Sequence, residues 1–279
     1  MLRFNRTEPS PELRQFIQGY WQIENGAQTE ILDLVPDGHP ELVFLLSNKV
    51  ITKPHGLIGV QVPTAGFIGQ LTKRFITVLE PHAKLFFVKL YPWTPFLLFQ
   101  VPQFQLNDKI TELEALTDDP LLRHLPCLIR SCDKLDSLKE NLDRLFIDKL
   151  NAESFDHPFL QFAVSRIFAT NGTISVDSLR NNIAASRRYV EKLFKKNIGL
   201  TPKQFARLIR VKKASIFLQQ KDFSGQLSSV SASLNYYDQS HFLKDFKMVV
   251  GSTPTQFLSQ QSNLKIDGLE SYLAQWDYS

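Results

Sequence analysis

The chain has 279 residues, of which 43% are hydrophobic and 22% are charged, values typical of globular proteins rather than disordered ones. This length exceeds that of one typical hydrophobic core and predicts two domains. The net charge of +4 is unevenly divided, because residues 1–156 carry 16 Lys/Arg against 20 Asp/Glu and residues 157–279 carry 16 against 8. A basic segment of this kind predicts a polyanionic partner, with a solvated basic surface as the alternative.

Two further features of composition concern location. The first residues contain no apolar stretch, which predicts the absence of a signal peptide. The most apolar segment, residues 85–101, is interrupted by Lys89, Pro92 and Pro95, so we expect no membrane span. Cys127 and Cys132 have the spacing of neither a zinc site nor a disulfide framework. We therefore expect a cytoplasmic protein with ordinary thiols.

The N-terminal half is predicted to be mostly β. Residues 11–21 first predict a short helix with Leu13, Phe16, Ile17 and Tyr20 on one face. Apolar runs of strand-forming residues then recur between turn signals, at residues 41–46, 66–69, 74–79 and 84–90. This spacing favours a barrel or double-sheet roll of cupin-like type, an architecture that can enclose a small ligand.

The histidines of this half raise the question of a metal centre. His39, His55 and His82, together with Glu41 and Glu80, are the residue types that bind metals. Their spacing matches no metal-ligand pattern, so we expect turn and surface histidines, no metal, no cofactor and no catalytic site. A cupin-type metal enzyme with a DNA-targeting module remains the enzymatic alternative.

From residue 106 to 150 the apolar pattern becomes helical. Leu135, Leu138, Leu142, Leu145 and Phe146 recur at steps of three and four residues, the period of an amphipathic helix. Such a helix could pack on its own domain or pair with a second copy of the chain. The polar, Pro-terminated segment that follows predicts a domain junction at residues 151–158.

The C-terminal half contains an internal repeat. Residues 194–205 return 52 residues later as residues 246–257, with Phe, Lys, Gly, Thr, Pro, Gln and Phe at the same positions. Each copy combines a basic helix, a Gly that ends it, and a Thr-Pro pair that caps and starts the next helix. A repeat at such a period predicts two copies of one supersecondary unit, which we interpret as tandem helix-turn-helix units.

Each unit is predicted to present one recognition helix to DNA. The first begins after Ser186, buries Tyr189, Val190, Leu193 and Phe194, and ends near Asn197, whereas the second runs from about Asp238 to Val249. A helix over residues 205–218 joins the units, with Lys213 beside two arginines on one side. Basic and polar side chains on such helices can meet base edges and phosphates in the major groove. The predicted DNA-binding residues are Arg187, Arg188, Glu191, Lys192, Lys195, Arg207, Arg210, Gln239, Ser240, Lys244 and Lys247.

On these residues the segment 174–257 resembles the DNA-binding domain of AraC/XylS-type transcriptional regulators. The resemblance rests on the motifs Ser186-Arg187-Arg188-Tyr189, Gly199-Leu200-Thr201-Pro202, Tyr237-Asp238-Gln239-Ser240-His241-Phe242 and Thr253-Pro254. The turn Pro36-Asp37-Gly38 before residues 41–44 is similar to the N-terminal β domain of some members. Arg180, Ser231 and Asn235 depart from the pattern, and Asn235 can still form the turn because Asn tolerates left-handed geometry.

The resulting prediction is an α+β protein with an N-terminal β-barrel or roll, flanking helices, and an all-α C-terminal domain. The expected limits are residues 1–150, a linker at 151–158, a DNA-binding domain at 159–262 and a tail at 263–279. The resemblance implies a regulator that reads promoter DNA, and an activator in particular, because many members of that family activate transcription. It also implies RNA polymerase, a small-molecule effector and a second copy of the chain as candidate partners. An effector-independent DNA-binding protein is the alternative.

Overall fold

The computed structural model describes residues 2–54, 59–131, 135–151, 158–180, 186–220, 223 and 225–261. Their strands are β1 Arg3–Thr7, β2 Ile17–Glu24, β3 Glu30–Leu34, β4 Glu41–Ser47, β5 Val50–Pro54, β6 Val60–Gln61, β7 Ala65–Ile68, β8 Phe75–Leu79, β9 Lys84–Leu90 and β10 Ile110–Glu112. Their helices are α1 Thr94–Phe99, α2 Leu113–Leu116, α3 Pro120–Arg130, α4 Leu135–Asn151, α5 Pro158–Ala169, α6 Val176–Arg180, α7 Arg187–Ile198, α8 Pro202–Gln219, α9 Leu227–Ser233, α10 Gln239–Val250 and α11 Pro254–Gln261.

The N-terminal domain is a pair of antiparallel sheets. One sheet has the strand order β1-β2-β9-β4-β7-β10 and the other the order β3-β8-β5-β6. Strand β8 alternates between buried and less buried residues from Ile76 onward, which is the pattern of a sheet that buries one face, whereas the central strands β4 and β9 also bury runs of consecutive residues. The mixed α+β class and the double-sheet roll expected from the sequence are therefore confirmed.

One predicted element is wrong. Residues 11–21 form no α-helix; a single 3-10 turn at Pro11–Leu13 is followed by β2. Ile17 and Tyr20 are buried in a strand that pairs with both β1 and β9. Because this pairing joins segments distant in sequence, it overrides the local spacing that suggested a helix.

The helix predicted from Leu135 onward forms as α4 and packs on its own domain. Leu142 and Phe146 are fully buried, and the helix lies against α1, α3, β1 and the 3-10 turn. Its polar side is also bonded to the domain, because Asp143 accepts hydrogen bonds from the hydroxyl of Tyr20 at 2.7 Å and from the backbone N–H of Ser10 at 3.0 Å. The apolar face proposed for pairing with a second copy is therefore covered.

The C-terminal domain is built from α5 to α11. Its opening helix buries Leu160, Val164 and Phe168, while Phe162 is 39% exposed. Asn235 has φ of 53°, so this residue adopts the left-handed turn expected of it. The linker at residues 152–157 and the tail at 262–279 lie outside the described residues, and the predicted domain limits stay predictions.

The two domains share one continuous apolar core. Leu98 and Phe99 of α1 belong to the same buried cluster as Phe194 and Ile198 of α7 and Phe205 of α8. The first helix-turn-helix unit therefore rests against the N-terminal domain. Within the described residues, no helix has both the length and the apolar character needed to cross a membrane.

Candidate DNA interface and adjoining cavity

The first recognition helix, α7, is bounded by local signals. Ser186 caps its start, with Oγ accepting from the backbone N–H of Tyr189 at 3.2 Å. Gly199 ends it with φ of 95°, a conformation that favours glycine. The next helix, α8, starts with a reciprocal capping box between Thr201 and Gln204. Helix boundaries predicted from the repeat are thus confirmed.

The outer face of α7 is basic. Arg187, Arg188, Lys192 and Lys195 are exposed, and Glu191 lies among them, paired with Arg187 at 3.1 Å between Nε and Oε1. The inner face buries Val190, Phe194 and Ile198. Tyr189 does not belong to the inner face as expected, since it is 53% exposed, and it adds an aromatic ring to the outer surface.

The second recognition helix, α10, has equivalent ends and a less charged face. Asp238 caps it by accepting from the N–H of His241 at 2.7 Å, and Gly251 ends it with φ of 82°. The predicted residues Gln239, Ser240, Lys244 and Lys247 are all exposed. Just before this helix lies Tyr237, the first residue of the motif at residues 237–242, and its side chain is 93% exposed.

Arg207 and Arg210 of α8 are engaged within the C-terminal domain. Arg207 Nε lies 2.9 Å from Oδ1 of Asp245 on α10. Arg210 donates through Nε and Nη2 to the carbonyl of Gly172 at 3.1 and 2.7 Å and lies over the ring of Tyr236. The structure therefore gives both arginines a role in holding helices together, and their predicted contact with phosphate stays a prediction.

A cavity of about 70 Å³ lies between the two sheets of the N-terminal domain. Most of its walls are apolar, as with Trp21, Val43 and Phe87. Two polar wall residues, Thr52 and Thr77, satisfy each other through a hydroxyl contact of 3.2 Å. Since one water needs roughly 10–15 Å³ on this scale, the space can hold several waters or a small organic molecule.

Ionisable side chains from both domains border this cavity. Lys89 Nζ lies 2.6 Å from Oδ2 of Asp37 and 3.3 Å from Oε1 of Glu41. His39 Nδ1 lies 3.5 Å from Oδ1 of Asp37. Lys212 lies on α8, the helix that joins the two helix-turn-helix units; it is buried and also lines the cavity. We call the two recognition helices, α7 and α10, the readers. An ionic cluster thus connects the cavity wall to the DNA-binding domain.

The surroundings shift the pKa of each group in a definite direction. Burial alone would raise the pKa of Asp37, but the charge of Lys89 and the bond to His39 outweigh it and hold that pKa below its usual range. Burial lowers the pKa of His39 despite the opposing pull of Asp37, and it raises the pKa of Glu41 despite Lys89. Burial also lowers the pKa of Lys212 to about 8, against the attraction of Asp37.

The turn at Gly38 explains how the cluster meets α8. Gly38 has φ of 88°, and a Cβ built there would lie 2.8 Å from Cδ1 of Ile209 and 3.0 Å from Cε2 of Phe205. Only glycine permits both this backbone conformation and this close approach. The Pro36-Asp37-Gly38 turn recognised in the sequence is therefore a contact between the domains.

Comparison with known proteins gives two family matches. Residues 179–260 match a family model described as a helix-turn-helix domain, and residues 5–112 match one described as a domain of unknown function, DUF6597. The Msm operon regulatory protein of Streptococcus mutans is 26% identical over 91 residues, which is 33% of this chain and 32% of that protein. The helix-turn-helix match and this relative support an AraC/XylS-type regulator. The matched segment spans about a third of that curated relative.

Comparison with solved structures gives further similarities, all at low sequence identity. ToxT from Vibrio cholerae is 10% identical, with a TM-score of 0.45 over 92% of this chain and 98% of that chain. ToxT bound to an unsaturated fatty acid is 12% identical, with a TM-score of 0.43 over 95% and 98%. An AraC family regulator from Rhodopseudomonas palustris is 22% identical, with a TM-score of 0.31 over 35% and 93%.

The described histidines considered for a metal site are dispersed in the structure. Among the described residues, no group of three His, Cys, Asp or Glu side chains could hold a metal ion, although His55 lies outside the described residues. His39 instead stacks on Phe168 of α5, with ring centroids 4.9 Å apart. Like Asp37 and Gly38, it belongs to the contact between the domains.

Sequence reasoning missed the residues that join the two domains. Lys212 lies on the same face of α8 as Leu208 and Ser215, which are buried. The helical period of the sequence could therefore have indicated that Lys212 is buried. The contacts of Arg74 with Val249 on α10 and Gln260 on α11 offered no such signal, because these segments are more than 170 residues apart.

Proposed function

We propose that the chain is a sequence-specific transcriptional regulator that reads promoter DNA through α7 and α10. The observation that carries this proposal is the repeated pair of capped helices with exposed polar and basic outer faces. Arg188 and Lys192 on the first helix and Gln239 and Lys244 on the second are the side chains proposed to meet bases or nearby phosphates. All four are exposed.

The test is selection of genomic fragments by the full chain, followed by affinity measurement on the preferred site. We expect enriched fragments that share one site, and loss of that enrichment when Arg188 and Lys244 are both replaced by Ala. Arg123→Ala is the control, because Arg123 is exposed on the N-terminal domain and contacts the nearby carboxylate of Asp118 and the carbonyls of Glu114 and Thr117. Equal enrichment with the double variant would refute this assignment of the readers.

We also propose that a small, mostly apolar molecule binds between the two sheets and controls the regulator. The enclosed apolar space and the ionic cluster beside it support this proposal. Thermal denaturation against a metabolite library tests it, since a ligand at 100 times its dissociation constant adds about 2.7 kcal/mol of stability. Val62→Phe, which fills part of the cavity, should abolish the shift, and a shift that survives this change would place the ligand elsewhere.

The remaining proposals are activation through contact with RNA polymerase, action in the cytoplasm and the absence of catalysis. In vitro transcription from the selected promoter, with and without the chain, distinguishes activator from repressor.

Metal analysis of protein purified without added metal tests the enzymatic alternative, and one tightly held equivalent of zinc, iron or manganese would restore it. Sedimentation tests pairing with a second copy, for which the buried face of α4 offers no surface.

A further inference from the structure

Arg74 reaches from the N-terminal domain to the second helix-turn-helix unit. Its guanidinium is buried and forms a paired contact with the carboxylate of Asp33 on β3. On the other side, Nη1 donates to Oε1 of Gln260 at 2.8 Å and to Oγ of Ser252 at 3.4 Å. The guanidinium also lies 5.3 Å from the ring centroid of Phe257 on α11. One side chain thus contacts both domains.

The backbone of Arg74 makes a further contact with the recognition helix itself. Its N–H donates to the carbonyl of Val249 at 2.7 Å, and Val249 is the penultimate residue of α10. The last carbonyls of a helix lack partners within the helix, and a cation near this end is favourable to the helix dipole. The N-terminal domain therefore helps to cap the second recognition helix.

The first recognition helix is attached to the same domain by different residues. Asn107 donates through Nδ2 to the carbonyl of Gly199 at 2.8 Å. Lys196 Nζ lies 4.8 Å from the ring centroid of Phe96 on α1. Both readers are consequently fixed to one scaffold, and their relative placement is set by that scaffold as well as by α8.

We propose that Arg74, held by Asp33, is a positioning residue for DNA reading by the second unit. It fixes the end of α10 and the helix α11, so that Gln239, Lys244 and Lys247 meet DNA in a set relation to α7. Without this side-chain contact the second unit is held less firmly to the N-terminal domain, through contacts such as the packing of Val35 and the backbone N–H of Arg74, while the contacts of the first unit are unchanged. This inference rests on the proposed DNA-binding function.

The same pair lies directly behind the cavity wall. Leu32 and Leu34, on either side of Asp33, line the cavity, as does Phe75, the residue after Arg74. A molecule that displaces these side chains acts on β3, which carries Asp33, and on the start of β8, which follows Arg74. The Asp33–Arg74 pair therefore lies between the cavity and the second helix-turn-helix unit.

A double-mutant cycle on the full chain tests the positioning role. The second reader is disabled by replacing Gln239, Lys244 and Lys247 with Ala, and the first by replacing Arg188, Lys192 and Lys195 with Ala. Each set is combined with Arg74→Gln, and affinity for the selected DNA site is measured. We expect the second set to weaken binding at least about threefold more in the wild-type background than in the Arg74→Gln background, whereas the effect of the first set stays within about twofold.

Gln260→Ala provides a milder variant, because Gln260 is an exposed residue whose loss leaves the Asp33–Arg74 pair in place. It should reproduce the same pattern at smaller size, and both variants should accelerate amide exchange in residues 254–261 over wild type. Equal effects of the second set in all backgrounds, with unchanged exchange, would overturn the positioning role. If neither set weakens binding by the wild-type chain, the proposed DNA-binding function itself fails.

Discussion

Asn107 of the N-terminal domain and Gly199 at the end of the first recognition helix are held in contact by a hydrogen bond of 2.8 Å between Nδ2 and the glycine carbonyl. A Cβ on Gly199 would lie 2.1 Å from Oδ1 of the same asparagine. The residue that ends the helix is therefore also the residue on which the N-terminal domain rests. Because Gly199 has no side chain, it can both end α7 and accept the close contact with Asn107.

This contact predicts an unequal pair of glycine substitutions. Gly199→Ala must adopt a positive φ, which costs about 1–2 kcal/mol, and must also displace Asn107, so we expect a total loss of about 2–4 kcal/mol. Gly225→Ala is the control, because Gly225 has φ of 81° and nothing within 4 Å of an added Cβ. Urea unfolding measures both free energies. Equal losses would show that the contact with Asn107 adds nothing.

A second prediction concerns the division of labour between the readers. Arg188→Ala should relax preference at one or two base pairs, because a bidentate base contact is worth about 1–3 kcal/mol of discrimination. Lys247→Ala should weaken binding to all sequences about equally, since Lys247 lies near the end of α10 where contacts position the protein. Affinities for the preferred site, its single-base variants and random DNA measure both effects. Uniform loss for Arg188→Ala would instead identify a phosphate contact.

Binding should also depend steeply on salt. Each phosphate neutralised by Lys or Arg contributes a slope of about −0.9 to the logarithm of affinity against the logarithm of salt concentration. Replacing Lys192 and Lys195 by Ala should therefore reduce the magnitude of the slope by up to about 2. Titrations of the full chain at several salt concentrations provide the measurement. A slope near zero for the wild-type chain would contradict the electrostatic interface.

The buried Lys212 predicts a specific pH dependence of stability. Its pKa falls from 10.5 to about 8 in the folded chain, so between these pH values the unfolded chain binds more protons. Stability contributed by this group therefore rises with pH across that window, and the penalty is fully present below pH 8.

Lys212→Met removes the titrating group and so supplies the comparison. Relative to Lys212→Met, the wild-type chain should gain about 1.4 kcal/mol of unfolding free energy for each unit of pKa shift as pH rises through the window. Lys213→Met, at a less buried neighbour, keeps Lys212 and is the control; relative to Lys212→Met it should show the same gain as the wild-type chain. Denaturant unfolding between pH 7 and about pH 10 measures the differences. Parallel curves for both variants would mean that Lys212 is not charged and buried as described.

The C-terminal domain was predictable because its signals are local. A cap such as Ser186 or Asp238 bonds to a backbone group three residues away, and Gly199 and Gly251 end their helices through their own φ angles. Such interactions depend on neighbouring residues alone. The repeat, the helix boundaries and the exposed face of α10 therefore followed from the sequence, and only Tyr189 on α7 was assigned to the wrong face.

The N-terminal domain and the contact between the domains depended on tertiary structure. The apolar spacing at residues 11–21 fits a helix, yet pairing of β2 with β1 and β9 makes it a strand. The Asp33–Arg74 pair and the cluster of Asp37, Lys89 and Lys212 join segments that no local pattern connects. Burial of such charges is tolerated only when their partners are in place. The sequence thus determined two tandem helix-turn-helix units, and only the tertiary structure decided how the N-terminal domain holds both of them.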